Sequence, residues 1–480
     1  MRCDGCTTVI LSNGTLNGRS VDVRIEGGVI VELGSIDERG TDLGGRSLTP
    51  GLWDEHVHFT QWALTSRRVD LSTAASARQA AQLVAAAIEA GAGAAGVVIG
   101  AGFRDSLWPD APNLADLDAA AGALPVVLVS GDLHCVWLNS AALARYGLAG
   151  HPTGLLTEDA AFEVEGQLGA FADETIDAWA REAAAVAASR GLVGITDLEM
   201  AWNLEAWQRR IAAGHDALRV HIMVYTQHLE RAIAEGMRTG DSFGELLTMG
   251  HYKVLADGSL NTRTAFMNDD YPGHQGHRGQ FTVPFDDLTA LMRRSSTAGI
   301  LPDVHAIGDG ANTLVLDAFE AVGGGGRVEH AQLVSAPDFP RFAALGVEVS
   351  VQPEHAMDDR DVADHHWAGL TEGAYAFRSL LNAGATLVFG SDAPVSPLDP
   401  WVQVAAAVSR SRDGRAPWHP EQRISTAEAL AASTRSTIAV GQPGDIVVTD
   451  LDPATATAEE LRSMPVAATM LAGRFTYDGR

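Results

Sequence analysis

Residues 50–59 read PGLWDEHVHF, a short apolar run that carries two histidines near its end. Because the side chains of a β-strand repeat every two residues, Asp54, His56 and His58 share one face of the strand. Two imidazoles at this spacing, near the end of a buried strand, are placed to chelate one metal ion. A His-x-His pair also occurs as ordinary core packing, so the interpretation depends on what the other strands carry at their ends.

The middle of the chain alternates apolar, β-branched runs with alanine-rich helical stretches, which is typical of βα units. Eight of these runs predict the parallel strands of a (β/α)8 TIM-type barrel: 52–59, 194–200, 219–225, 252–257, 302–307, 327–332, 347–353 and 386–392. Two further runs, 97–102 and 125–130, exceed the eight that a barrel needs. We assign them to an insertion over the barrel mouth.

Both ends of the chain differ from this middle. Each end carries short β-branched runs separated by Gly, Asn and Asp turns, such as TTVILSNG near the start and GDIVVTDLDP near the end. We therefore predict an α/β protein in which both chain ends build one small β-sandwich beside the barrel. The predicted segments are 1–50 and 436–480 for the sandwich, 51–435 for the barrel and 93–170 for the insertion capping the active site.

The composition argues against several kinds of partner. The 480-residue chain is 46% hydrophobic with a net charge of −27, which repels phosphate backbones and anionic lipids. We therefore expect neither nucleic acid nor a membrane as a partner, and the lack of a signal-peptide pattern predicts a cytoplasmic protein. No G-x-G-x-x-G motif follows a predicted strand and no Walker sequence is present, so nucleotide cofactors have no support. A small-molecule substrate is expected, and a homodimer is the commonest assembly.

One residue count is unusual. The chain has 34 basic residues, but a single one of them, Lys253, is a lysine, and it lies in the apolar run HYKVLADGS. A free ammonium group is costly to bury, whereas a lysine amine, unlike arginine, can lose its proton and be chemically modified. Lys253 is therefore predicted to have a chemical role.

More ligand-type residues lie at the ends of other predicted strands. Lys253, His305 and His330 lie on three successive runs, and Asp392 ends the last run. The carboxyl ends of all strands in such a barrel meet at one site. Together with the histidine pair of residues 50–59, these residues predict a site for zinc or a similar divalent ion.

The motifs PGLWDEHVHF, YKVLADGSLNTRTA, HAIGDGA, RVEHAQ, QPEH and FGSDAPVSP follow one another along the chain. In this text and order the sequence resembles the amidohydrolase superfamily, and within it the YtcJ-like branch that includes N-substituted formamide deformylases. The stretches GDLHCVWLNSAAL, PTGLLTEDA and GQPGDIVVTDLDP are similar as well. The resemblance covers almost the whole chain.

The resemblance implies a metal-dependent hydrolase that cleaves a C–N, amide-type bond of a small organic molecule with a metal-activated hydroxide. The metal ligands that it implies are His56, His58, Lys253, His305, His330 and Asp392. Lys253 would be carboxylated and bridge two metals, most often Zn²⁺, although sites with one ion also occur in the superfamily. Asp392 would move a proton to the leaving nitrogen, and His355 is expected to stabilise the oxyanion.

The insertion and the loops of the barrel mouth supply four expected substrate contacts, namely His134, Trp137, Glu158 and Arg263. Loop packing is the alternative interpretation for each of them. The chain has Leu133 ahead of His134, and Asn261 in DGSLNTRTA, where the branch usually has glycine. Both departures face the substrate side of the predicted site, and the substrate stays open.

Two other functions stay open beside the hydrolase. A decarboxylase or isomerase on the same barrel would use the same metal ligands, so product analysis is needed to separate it from a hydrolase. A catalytically inactive binding protein is the other alternative. Intact residues at all six expected ligand positions argue against it.

Overall fold

The computed structural model of the protein describes residues 8–65, 68–93, 96–168 and 171–480. Its described strands form three sheets, which are a parallel barrel, a sheet from the two chain ends, and a five-stranded sheet. The barrel strands, labelled β1 to β8, are Leu52–Val57, Leu192–Asp197, Arg219–Tyr225, Leu247–Leu255, Pro302–Ala306, Gly326–His330, Val347–Val351 and Leu387–Phe389. Each of the eight runs assigned to the barrel from the sequence contributes one strand, which confirms the predicted barrel.

The barrel strands pair in parallel and in chain order from β1 to β8. A parallel bridge between Val57 and Ala393 joins the end of β1 to the segment after β8. All residues of β1, β2, β5 and β6 are buried, because the strands lie between the filled barrel interior and the outer helices. This double burial explains why the strands read as nearly continuous apolar runs.

Helices on the outside of the barrel connect and cover its strands. They are Phe59–Thr65, Asp173–Ser189, Asn203–Ala212, Thr226–Ala234, Phe285–Ala298, Asp309–Val322, Phe339–Leu345, His355–His366, Phe377–Asn382, Pro400–Ser409, Thr426–Ala432 and Ala458–Arg462. Short 3-10 turns span Ala336–Asp338, Thr371–Gly373 and Pro420–Gln422. Among the described helices, none has both the length and the apolar composition that crossing a membrane requires.

The second sheet is built from both chain ends, as the sequence predicted. Its strands are Thr8–Leu16, Arg19–Glu26, Val29–Gly34, Thr41–Asp42, Ser47–Pro50, Ile446–Thr449, Val466–Leu471 and Arg474–Asp478. The two ends meet where Ser47–Pro50 pairs antiparallel with Ile446–Thr449. Buried side chains from both ends form a separate core that includes Leu11, Val23, Ile446 and Met470.

The third sheet contains the two runs that exceeded the barrel. Its strands are Val69–Asp70, Val98–Phe103, Val126–Ser130, Cys135–Leu138 and Leu155–Thr157, and the accompanying helices are Ala77–Glu89, Leu114–Ala121, Ser140–Arg145 and Asp159–Glu165. The sheet also takes in Val69–Asp70, ahead of the segment 93–170 expected from the sequence. Residues 1–7, 66–67, 94–95 and 169–170 of the predicted segments lie outside the described residues. The division into domains stays a prediction.

Candidate active site

The end of β1 and the segment after β8 place three side chains together. His56 and His58 both direct Nε2 at the same Oδ1 atom of Asp392, at 3.2 Å and 3.4 Å. His56 and Asp392 are buried, and the His58 side chain is 15% exposed. The alternation along residues 50–59 predicted that His56 and His58 share this face of β1. Asp392 reaches the same face because closure of the barrel brings the segment after β8 beside the end of β1.

The backbone around Asp392 is shaped for this contact. The amide of Asp392 donates to the carbonyl of His56 at 2.7 Å. Gly390 lies so near to β1 that a Cβ atom there would come within 2.5 Å of the His56 Cβ. Asp392 itself has a φ of 56° and His330 a φ of 75°, in the left-handed region that residues other than glycine seldom adopt. Such conformations concentrate at functional sites, where the surrounding structure enforces them.

His305 lies near the carboxyl end of β5, and His330 is the last residue of β6. The His330 ring lies 4.5 Å from the His305 ring and 4.9 Å from the His56 ring, measured between centroids. Nδ1 of His330 is 2.8 Å from Oε1 of Gln352, and Nε2 of His305 is 3.3 Å from the carbonyl of Gly258. Burial lowers the pKa of His305 to about 3 and that of His330 well below its ordinary value. Both rings are therefore neutral at pH 7, as a metal ligand must be.

The charges around Asp392 balance each other. Burial alone would raise the pKa of Asp392, but His56 and His58 hold it well below its usual range. Burial alone would lower the pKa of His56, but the carboxylates of Asp392 and Glu329 raise it to about 9. Oε2 of Glu329, which is fully buried on β6, lies 2.5 Å from Nδ1 of His56. This contact leaves Nε2 of His56 directed at Asp392.

Lys253 lies on β4, lines the same cavity as the histidines, and is 2% exposed. Its Nζ atom is 3.8 Å from Oδ1 of Asp303 and has no hydrogen-bond partner among the described residues. Both carboxylate oxygens of Asp303 are likewise buried and without a hydrogen bond in the described part of the chain. An amine left in this state is expensive to bury. The position therefore suits a lysine that carries a further group.

Two sets of side chains have metal-ligand spacing. His56, His58 and Asp392 form one set, and His330, His355 and Asp392 form the other, with ligand atoms within 4.8 Å of one another in each. His355 begins the helix His355–His366, and its ring is stacked on the His330 ring at 6.4 Å. Imidazole nitrogen and carboxylate oxygen are the donors that Zn²⁺ prefers. The residues present thus fit a divalent ion.

The sequence profile of the amidohydrolase family matches residues 39–477. The chain belongs to the amidohydrolase family. YtcJ of Bacillus subtilis (strain 168) is 25% identical, over 99% of this chain and 96% of its own length. An N-substituted formamide deformylase of Arthrobacter pascens is also 25% identical, over 96% of this chain and 97% of its own. An uncharacterized metal-dependent hydrolase from Pyrococcus horikoshii OT3 shares the fold, with a TM-score of 0.79 and 24% identity, over 94% of this chain and 99% of its own.

The structure brings some of the expected substrate residues to the candidate site. His134 lies above His305, with 6.1 Å between ring centroids, and its Nδ1 is 2.8 Å from Oε2 of Glu158. Glu158 in turn accepts hydrogen bonds from the hydroxyls of Thr262 and Thr264. Glu158 therefore fixes the orientation of the His134 ring through its Nδ1 atom.

Trp137 and Arg263 are placed elsewhere. Trp137 is fully buried in the core of the five-stranded sheet, edge-on to Phe103, and its Nε1 donates to the carbonyl of Asn113. Trp137 was expected to contact the substrate, but it packs in the core of this sheet, because both faces of its strand are covered. Arg263 has its Nη1 atom 3.5 Å from Nε2 of His274, on an exposed loop.

The site opens into a cavity of about 100 Å³. Several of its lining residues were not found by sequence reasoning, namely Arg104, Phe162, Glu165, Tyr225 and Gln332. Glu165 is a carboxyl at the cavity wall, and burial raises its pKa to about 8. Glu329 was also missed, although it stands beside His330 in RVEHAQ. A charged residue inside an apolar barrel run was the signal that could have identified it.

Proposed function

We propose that the protein is a metal-dependent hydrolase that cleaves the C–N bond of a neutral amide-type small molecule. The observation that carries this proposal is the convergence of His56 and His58 on one carboxylate oxygen of Asp392. The neutral, buried rings of His305 and His330 beside it complete a nitrogen and oxygen ligand set. Membership of the amidohydrolase family is consistent with this chemistry.

Five side chains would hold one or two divalent ions, most often zinc: His56, His58, His305, His330 and Asp392. Lys253 would join them as a carboxylated lysine. The Nζ atom of Lys253 is buried and has no hydrogen-bond partner among the described residues. Carboxylation accounts for this, because it replaces an ammonium group that is costly to bury with a carbamate that can bind a metal ion. A divalent ion at this place lowers the pKa of bound water to about 7 and so makes hydroxide available at neutral pH.

The chain's own groups would handle the protons. The low pKa of Asp392 keeps its carboxylate ionised, and its position between His56 and His58 lets it accept the proton of the attacking water. The same carboxyl then delivers the proton to the leaving nitrogen. A carboxylated Lys253 would act with Asp392, because both side chains would then carry a negative charge at the site.

His355 is proposed to stabilise the oxyanion of the tetrahedral intermediate. Its Nε2 atom is buried and has no hydrogen-bond partner within the described ranges, and the residue lines the cavity. A preorganised donor of this kind is worth about 10²–10³ in turnover. His134, held by Glu158, also lines the cavity and would contact the substrate.

Amides of small molecules are the substrates to test first, and N-substituted formamides lead because a relative is named for their deformylation. We would assay zinc-reconstituted protein for amine release from N-methylformamide, N-hexylformamide and the corresponding acetamides. Asp392→Asn should keep the fold, checked by circular dichroism, and lose at least about 100-fold in kcat. Equal turnover by wild type and Asp392→Asn would contradict the proposal.

A further inference from the structure

A second, larger cavity adjoins the active-site cavity. It has a volume of about 930 Å³, against about 100 Å³ for the active-site cavity. Three residues line both spaces, namely Arg104, Leu133 and Val395. The smaller space holds only a small group beside the reacting bond, so the rest of a longer substrate would extend past these three residues into the larger one.

The larger cavity lies between the barrel and the five-stranded sheet. Two indole rings, Trp62 from the helix Phe59–Thr65 and Trp179 from the helix Asp173–Ser189, contribute to its wall. Aliphatic residues of the same helices and of the segment after β8 complete its apolar part, namely Ala63, Ala183, Val186, Pro394, Pro397 and Val402. Concave apolar spaces of this size are the usual form of small-molecule sites.

The charged side chains on the floor of this cavity are engaged with each other. Nη1 of Arg412 lies 2.7 Å from Oε1 of Glu354 and 2.6 Å from Oδ1 of Asp358. Arg462 donates to the same Glu354 oxygen at 2.8 Å, and Arg104 donates to Asp358 at 3.1 Å. The lining as a whole carries four arginines and four carboxylates, namely Arg68, Arg104, Arg412 and Arg462 against Asp70, Glu182, Glu354 and Asp358. The wall of the cavity therefore has no net charge that would select a charged substrate arm.

We propose that the larger cavity binds an extended, uncharged apolar arm of the substrate, and that Leu133 at the junction determines which arms pass. This inference rests on the proposed amide hydrolysis and names the class of amide. Leu133 has a φ of 63°, a conformation that glycine adopts without steric cost. A leucine held there places an aliphatic side chain between the reacting centre and the apolar cavity.

The first test fills the cavity. Ala183 lines it, whereas Ala185 lies on the exposed side of the same helix, so Ala183→Trp and Ala185→Trp form a matched pair. For N-hexylformamide, Ala183→Trp should raise KM about tenfold with kcat unchanged. Neither variant should change KM for N-methylformamide by more than about twofold. Equal effects of both variants, or equal loss on both substrates, would overturn the proposal.

The second test separates the cavity from the reaction. In the Asp392→Asn background, where hydrolysis should be at least about 100-fold slower, calorimetric titration should show N-hexylformamide binding at least about tenfold tighter than N-methylformamide. Adding Ala183→Trp should remove most of this difference. If binding follows this pattern but wild-type enzyme hydrolyses no amide, the cavity assignment stands and the proposed function fails. Equal binding of the two amides overturns the cavity assignment.

The third test addresses Leu133. Leu133→Gly should raise kcat/KM for N-cyclohexylformamide at least about fivefold relative to N-hexylformamide, because the passage widens. Leu133→Ala removes most of the side chain without restoring glycine's backbone freedom, so it should shift the same ratio in the same direction. An unchanged ratio in both variants would remove Leu133 from the specificity role.

Discussion

Glu329→Gln is the most informative single change in this site, because it removes a charge that touches one proposed metal ligand. The Glu329 side chain is fully buried, and its Oε2 atom is 2.5 Å from Nδ1 of His56. As a carboxylate it accepts the Nδ1 proton and so leaves Nε2, which lies 3.2 Å from Oδ1 of Asp392, as the nitrogen of His56 that can bind a metal ion. Glutamine keeps the shape but loses the charge, so the imidazole becomes a weaker and less oriented ligand.

The size of the effect follows from the kind of bond that is lost. A hydrogen bond to a charged group contributes about 1.5–3 kcal/mol. Since about 1.4 kcal/mol corresponds to a factor of ten in an equilibrium constant, metal affinity should fall roughly 10- to 100-fold.

Competition with a zinc chelator measures this affinity directly. Glu348→Gln is the matched control, because Glu348 is 43% exposed and bonds to Arg327 on β6 without touching a histidine. The control should retain wild-type zinc affinity. Unchanged affinity in Glu329→Gln, or an equal loss in Glu348→Gln, would refute the idea that Glu329 orients His56.

Three further predictions concern other parts of the molecule. After equilibration with ¹³C-bicarbonate, the protein should show a carbamate carbon resonance by ¹³C NMR, and this resonance should disappear in Lys253→Met, because Lys253 is the sole lysine. An unchanged signal in the variant would exclude carboxylation of Lys253. His355→Ala should lower kcat about 100-fold with little change in bound zinc, and an unchanged kcat would remove it from oxyanion stabilisation. Glu55→Gln should destabilise the fold by about 3 kcal/mol in urea unfolding at pH 7, because it leaves Arg435 and Arg327 without their buried partner. Burial alone would raise the pKa of Glu55, but these arginines hold it well below its ordinary value. The contribution of Glu55 to the free energy of unfolding is therefore full above about pH 5 and should shrink as the pH falls below about 4. A difference between wild type and Glu55→Gln that does not depend on pH would contradict this.

The barrel could be predicted from sequence because its strands carry a strong signal. A strand buried on both faces reads as a continuous apolar run, and eight such runs separated by helical stretches leave few alternatives. The period of two along residues 50–59 also placed His56 and His58 on one face correctly. Asp392 could be added because parallel strands end at a common rim.

The same double burial explains where the sequence failed. All four residues of Cys135–Leu138 are buried, so alternation along this strand does not separate a cavity wall from a core. Trp137 was therefore predicted to contact the substrate, although it packs inside the sheet. Glu329 was missed for a different reason, because its contact with His56 joins two strands that are distant in the sequence and meet only across the barrel interior.

The content of bound metal tests the central claim most directly. Protein purified without chelator and reconstituted with zinc should contain one to two zinc ions per chain by elemental analysis. Removal of the metal should abolish amide hydrolysis, and its return should restore it. Two ions would support a carboxylated Lys253 between them, and one ion would assign the site to the histidines and Asp392 alone. A chain that binds no zinc after reconstitution, with its fold intact, would contradict the proposed hydrolase.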